Sequence, residues 1–180
     1  MNHFCVECIR IARYWPHIDC LFGITLRNLM SWPLFLTKGN DRMMNTKLYK
    51  SVLELAGELM NAAQQQQQVS FDSLYEQLKA LCIEHENTEK DHPVQWETLA
   101  DFTDEFADAL LIYEKALAKA TAINAKDYMS SIGYAMATMH VELGQTDAAI
   151  ACLQTAQVSA NKIPDKALKA EIAELLDTLK

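Results

Sequence analysis

The sequence predicts an all-α protein built from successive amphipathic helices. Three observations point there. From Thr46 onward apolar residues recur at steps of three and four, the spacing of one helix face. No stretch alternates apolar and polar residues for long enough to form a half-buried strand. The 180 residues also hold only five Gly and four Pro, fewer turn formers than an all-β sandwich or barrel needs.

The elements follow in order. Leu48, Val52, Leu55, Leu59 and Ala62 mark the first helix, which is expected to run into the glutamines Gln64 to Gln68. Ser70 is the expected N-cap of a second helix carrying Phe71, Leu74, Leu78, Leu81 and Cys82, because its hydroxyl oxygen can accept a free amide of the next turn. A polar stretch at 86–92 reads as a loop, and Pro93 opens the third helix, where a missing N–H costs nothing. Trp96, Leu99, Ala100 and Phe102 or Thr103 face inward there, and Phe106, Leu110, Tyr113 and Leu117 continue the spacing. A break near Asp101–Asp104 is favoured, since Asp caps a new start. Lys126 to Leu143 forms the next helix, with Met129, Ile132, Met136, Met139 and Leu143 inward, and Gly144 stops it. Thr146 or Asp147 caps a helix with Ile150, Leu153 and Val158 inward. Pro164 interrupts, and Asp165 caps a last helix, 165–179, striped with Leu168, Ile172, Leu175, Leu176 and Leu179.

Composition divides the chain. Residues 1–42 carry all four Arg, three of the five Cys and two of the three Trp, with five basic against three acidic side chains. Residues 43–180 carry eleven Lys against 21 acids. The first segment is expected to lie outside the folded unit, with Met43 and Met44 at the boundary; a membrane or targeting stretch over Cys20–Leu36, a metal site and an appended helix are the alternatives. The metal reading rests on His3, Cys5, Cys8, His17 and Cys20, a Cys-x-x-Cys followed by His-x-x-Cys, which has ligand spacing but no glycine knuckle. Cys82 and Cys152 read as buried free thiols, which suits a reducing cytoplasm. The net charge of −8 argues against nucleic-acid or anionic-membrane partners, which select a basic face.

The segment Met136–Ala156 carries more than periodicity. It has a small residue, Ala137, on one helix, Leu143-Gly144 at that helix's end, and then Ala148-Ala149-Ile150 with Ala156 seven residues after Ala149. Phe106–Leu117 repeats the seven-residue step with Ala109 and Ala116, and Pro93–Phe102 would be its partner helix. Phe71–Cys82 has the same rhythm with Leu in place of the small residues. These features resemble the tetratricopeptide repeat (TPR). The resemblance covers about 100 residues, with one good and one or two degenerate repeats. The spacing of 40 from Ala109 to Ala149 exceeds the roughly 34 of a regular array, so extra turns are expected around Ala120–Lys126. The resemblance implies a TPR-like α-solenoid of antiparallel helical hairpins, a right-handed superhelix over 43–180, with 165–179 as its solvating cap; an irregular helical bundle is the alternative.

The resemblance further implies a protein-binding groove on the first helix of each pair. The matching positions are Thr98, Asp101 and Phe102 on one pair and Tyr134, Thr138 and Val141 on the next. The Lys and Asn that clamp an acidic peptide are missing from these positions, so a basic or apolar segment is the expected ligand of the acidic body. A non-catalytic adaptor or scaffold without a cofactor is therefore expected, with a self-associating structural module as one alternative. The other alternative is a metal-binding helical enzyme using Asp101, Asp104, Glu105 and Asp108, whose steps of three, four and seven share a face if one helix spans them. There is no Gly-rich phosphate loop, no H-E-x-x-H and no nucleophile motif.

Overall fold

A computed structural model describes residues 46–180. Among them are seven α-helices and no strand, as the periodicity predicts. They are α1 (Thr46–Gln64), α2 (Gln68–His85), α3 (Pro93–Asp101), α4 (Phe106–Ala122), α5 (Lys126–Glu142), α6 (Thr146–Ala160) and α7 (Lys166–Thr178). The composition break, the Cys/His pattern and the Cys20–Leu36 stretch lie outside the described residues. No described helix is long and apolar enough to cross a membrane.

The inward stripes follow the sequence closely. Leu48, Val52, Leu59 and Ala62 of α1, Phe71, Leu78 and Cys82 of α2, and Leu168, Ile172 and Leu176 of α7 are all buried. The loop before Pro93 and the break after Asp101 both occur where expected, but Glu105, not an Asp, holds the cap position of α4, without a side-chain capping bond. Asp165 caps α7 by accepting the amides of Ala167 and Leu168 at 2.9 and 3.1 Å. Other expectations fail. Ser70 does not cap α2; the cap position lies three residues earlier, at Gln67, so the glutamine run is split between the end of α1, a turn and the start of α2. Neither Thr146 nor Asp147 is the cap of α6, since Gln145 holds that position. Val158 is exposed, because the buried stripe of α6 runs Ala149, Leu153, Ala156 and Ala160 and leaves it on the opposite side.

One turn is used three times. Between α1 and α2, α4 and α5, and α5 and α6 the connection is three residues long, and its middle residue is left-handed: Gln66 (φ 54°), Asn124 (φ 58°) and Gly144 (φ 69°). In each, the next amide reaches back to a carbonyl of the last helical turn: Gln67 to Ala62 (2.9 Å), Ala125 to Ala120 (3.0 Å) and Gln145 to His140 (2.8 Å). The left-handed residue's own amide bonds a second carbonyl, Ala63, Thr121 or Val141. This paired closure is the Schellman arrangement, which satisfies carbonyls that a helix end leaves open. A connection this short turns the following helix back against the one before it.

Each helix packs on the next in the chain. In addition the odd-numbered helices touch one another in order, α1 with α3, α3 with α5 and α5 with α7, and no pair of even-numbered helices touches as much. One core joins α1 through α5, and a second joins α5, α6 and α7. The seam between α5 and α6 is made of small residues: Ala137, Ala149 and Ala156 are fully buried. Gly133, which the sequence reading did not single out, sets its closeness, since a Cβ there would lie 2.9 Å from the Cβ of Ala156. The extra length between Ala109 and Ala149 lies in α4 and α5, 17 residues each, which meet at the three-residue turn 123–125.

Gly133→Ala is expected to lower stability by about 1–2 kcal/mol despite its better helix propensity, because neither backbone can yield without opening the seam. Pairing it with Ala156→Gly should recover most of that loss in urea denaturation. Gln66→Gly is expected to raise stability by about 0.5–1 kcal/mol by relieving the left-handed backbone, read as a shift of the thermal midpoint.

Candidate functional site

The most unusual element is α3. Apolar residues alone would give it one buried face, yet every residue from Pro93 to Ala100 is buried, including Gln95, Glu97 and Thr98. It is enclosed because α1, α2, α4 and α5 all pack against it. Enclosure traps side chains that a helix of nine residues would otherwise turn to water. Glu97 and Asp101 stand four residues apart, one above the other on the helix. The Ser131 hydroxyl of α5 donates to Glu97 Oε1 at 2.5 Å. The Tyr113 hydroxyl of α4 donates to Asp101 Oδ1 at 2.5 Å. Asp101, at the end of the helix, is half-buried.

Burial dominates the electrostatics here. Loss of hydration pushes Glu97 well above the ordinary carboxylate range; Asp101 adds to this, the Ser131 hydrogen bond opposes it, and Asp127 adds a little more. Asp101 is pushed up to about 7 by burial, against the hydrogen bond from Tyr113. The Tyr113 and Tyr128 hydroxyls are raised well above their usual value, first by burial and then by Asp101 and Glu97 respectively. His92 lies edge-on to Tyr128, with ring centroids 5.2 Å apart. Burial lowers the pKa of His92 to about 4, with Asp91 pulling the other way, so the ring is neutral at pH 7 and its Nδ1 accepts the Val94 amide that caps α3. Chemically the junction can hold or release a proton.

A second network ties the 86–92 loop to α4. Asp91 accepts from Trp96 Nε1 at 2.8 Å and from the Asn87 amide at 2.6 Å, and pairs with Lys119 at 2.6 Å. Lys115 pairs with Glu86 and lies 3.7 Å from the centre of the Trp96 ring. Burial raises Asp91, but the hydrogen bonds from Lys119, Trp96 and Asn87 outweigh it and hold the carboxyl below its ordinary value. Here a buried acid is matched by a cation, unlike Glu97 and Asp101.

The residues expected in a groove have different surroundings. Thr98 and Phe102 are buried, and the Phe102 ring meets Phe71 of α2 edge-on at 6.2 Å. Asp101 points into the acid pair described above. Tyr134 and Val141 are half-buried against the second core, and Thr138, also half-buried, donates to the Ala135 carbonyl at 2.7 Å. The four acids Asp101, Asp104, Glu105 and Asp108 do not share a helix face, because α3 ends at Asp101 and α4 begins at Phe106; the last three are exposed. Among the described residues no three His, Cys, Asp or Glu side chains come together as a metal would require.

Sequence reading missed Glu97. A signal existed: Ala137 precedes Ala149 by twelve residues, and Glu97 precedes Ala109 by the same twelve, so a carboxylate stands at the register of the small buried residue.

Asp91→Ala leaves the Trp96 N–H and the Lys119 ammonium without their common acceptor. The expected loss is about 1–3 kcal/mol in urea denaturation, larger than for Glu54→Ala, whose ion pair with Lys50 lies in solvent.

No protein-family model matches the chain, and no curated protein or solved structure shows significant similarity to it.

Proposed function

We propose that this chain is a non-catalytic protein-interaction module of TPR-like build, whose binding side is formed by the odd-numbered helices of its C-terminal half. The observation that carries this reading is the ordered contact of α1 with α3, α3 with α5 and α5 with α7, which no pair of even-numbered helices matches. Helices that touch across alternate positions lie on the inside of a curve, and the inner side of a curved helical array is the side that receives extended polypeptide. Two further features support it. Ala109, Tyr113 and Ala116 of α4 repeat the spacing of Ala149, Leu153 and Ala156 of α6, and all six are fully buried. Pro93 and Lys126, which open α3 and α5, are 33 residues apart, near the roughly 34 of a regular repeat. In this reading α7 is the cap, with Leu168, Ile172 and Leu176 inward and Lys166, Glu174 and Asp177 in solvent.

The α3 part of the inner side is closed by packing, so the binding residues are Tyr134, Thr138 and Val141 on α5. The acidic excess of 43–180 favours a basic or apolar segment as the ligand. A second reading, self-association, is favoured by Ile83, Leu111 and Val158, large apolar side chains exposed on the even-numbered helices.

Fluorescence anisotropy of the full chain against matched sets of basic-apolar and acidic peptides tests the first reading. Basic-apolar peptides should bind, and Tyr134→Ala with Val141→Glu should weaken them about tenfold at unchanged helical circular dichroism. Equal binding of acidic peptides, or indifference to those substitutions, removes it. A dimer in light scattering that Leu111→Glu and Val158→Glu dissolve would favour the second.

A further inference from the structure

The acid pair of α3 has a consequence separate from any ligand. Glu97 is 3% exposed, and among the described residues the side-chain hydrogen bond it accepts comes from a neutral hydroxyl, as does that of Asp101. The ion pairs of the described residues engage Glu54, Glu76, Glu86 and Asp91, not these two. The groups that face the pair come from every side. Asp127, Tyr128 and Ser131 belong to α5, and Tyr113 to α4. Tyr49 of α1 acts through Tyr128, and His92 lies against Tyr128 from the loop before α3. Cys82 of α2 donates to the Gln95 carbonyl on the same helix. The nearby charges acting on Glu97 are those of Asp101 and Asp127, both negative. Two like charges one helical turn apart, one of them buried, are costly to keep together without a cation.

We propose that Glu97 and Asp101 form a pH-sensitive latch: α1, α4 and α5 clasp α3 most firmly while both carboxyls keep their protons, and the clasp loosens as those protons are lost. Both groups hold protons more tightly folded than unfolded. The folded state therefore binds more protons, and stability falls as pH rises from the ordinary carboxylate range through the folded values. His92 acts oppositely: its pKa is lowered in the folded state, so its contribution is lost as pH falls below about 6.5. The latch is thus read cleanly above that pH. Loosening α3 is also the change that would bring Thr98 and Phe102 to the surface, a point that rests on the interaction reading while the latch itself does not.

The test uses the full chain. Between about pH 6.5 and pH 8 the unfolding equilibrium constant should rise at least about threefold, and in the double variant Glu97→Gln with Asp101→Asn, which keeps both acceptors, it should stay flat. Infrared spectroscopy of the wild-type chain at the lower pH should show a protonated-carboxyl band that Glu97→Gln diminishes. Absence of that band in the wild type, which needs no variant to fold, overturns the proposal. So does a double variant with the wild-type pH slope.

Discussion

The enclosure of α3 is the constraint on which the rest depends. A helix of nine residues contributes little stability by its own hydrogen bonds and must be held by its neighbours. Here α1, α2, α4 and α5 surround it, so the N-terminal core is organised around one short element. Enclosure also forces polar groups inward, and the packing treats them differently. Gln95 and Cys82 exchange backbone-directed bonds between α3 and α2. Asp91 gathers an indole, an ammonium and an amide just before the helix starts. Glu97 and Asp101 meet the Ser131 and Tyr113 hydroxyls, whose hydrogen bonds do not offset the burial that raises both carboxyls.

The C-terminal half is held by a different device. Between α5 and α6 the contact depends on backbones coming close, and Gly133 against Ala156 leaves no room for a methyl group. Small residues bury little area each, but they let long helices align along their full length. The repeated three-residue turn supports this by fixing how each helix returns. Gln66, Asn124 and Gly144 are chemically unlike and serve the same backbone requirement, so the requirement comes from the geometry of the turn and not from a preferred residue.

These two devices divide the surface. Around α3 the packing removes Thr98 and Phe102 from solvent. Along α5, Tyr134, Thr138 and Val141 stay half-buried. The two halves are therefore not equivalent, and the acid pair lies where α3 meets α5.

The sequence by itself determined the helical class, most helix boundaries and nearly all inward stripes, because burial on one face of a helix imposes a period that a linear chain displays. It also marked Asp165 as a cap and Gly144 as a stop, since those depend on local backbone chemistry. Only the tertiary structure decided which side of α3 meets water. Glu97 reads as an exposed charge within an amphipathic pattern, and nothing local reveals that four helices close around it. The same holds for Gly133, whose importance is a distance to Ala156 on another helix, and for the acids at 101–108, which a break in the chain's path separates. Periodicity records one interface per helix; a helix with four neighbours has more than its period can express.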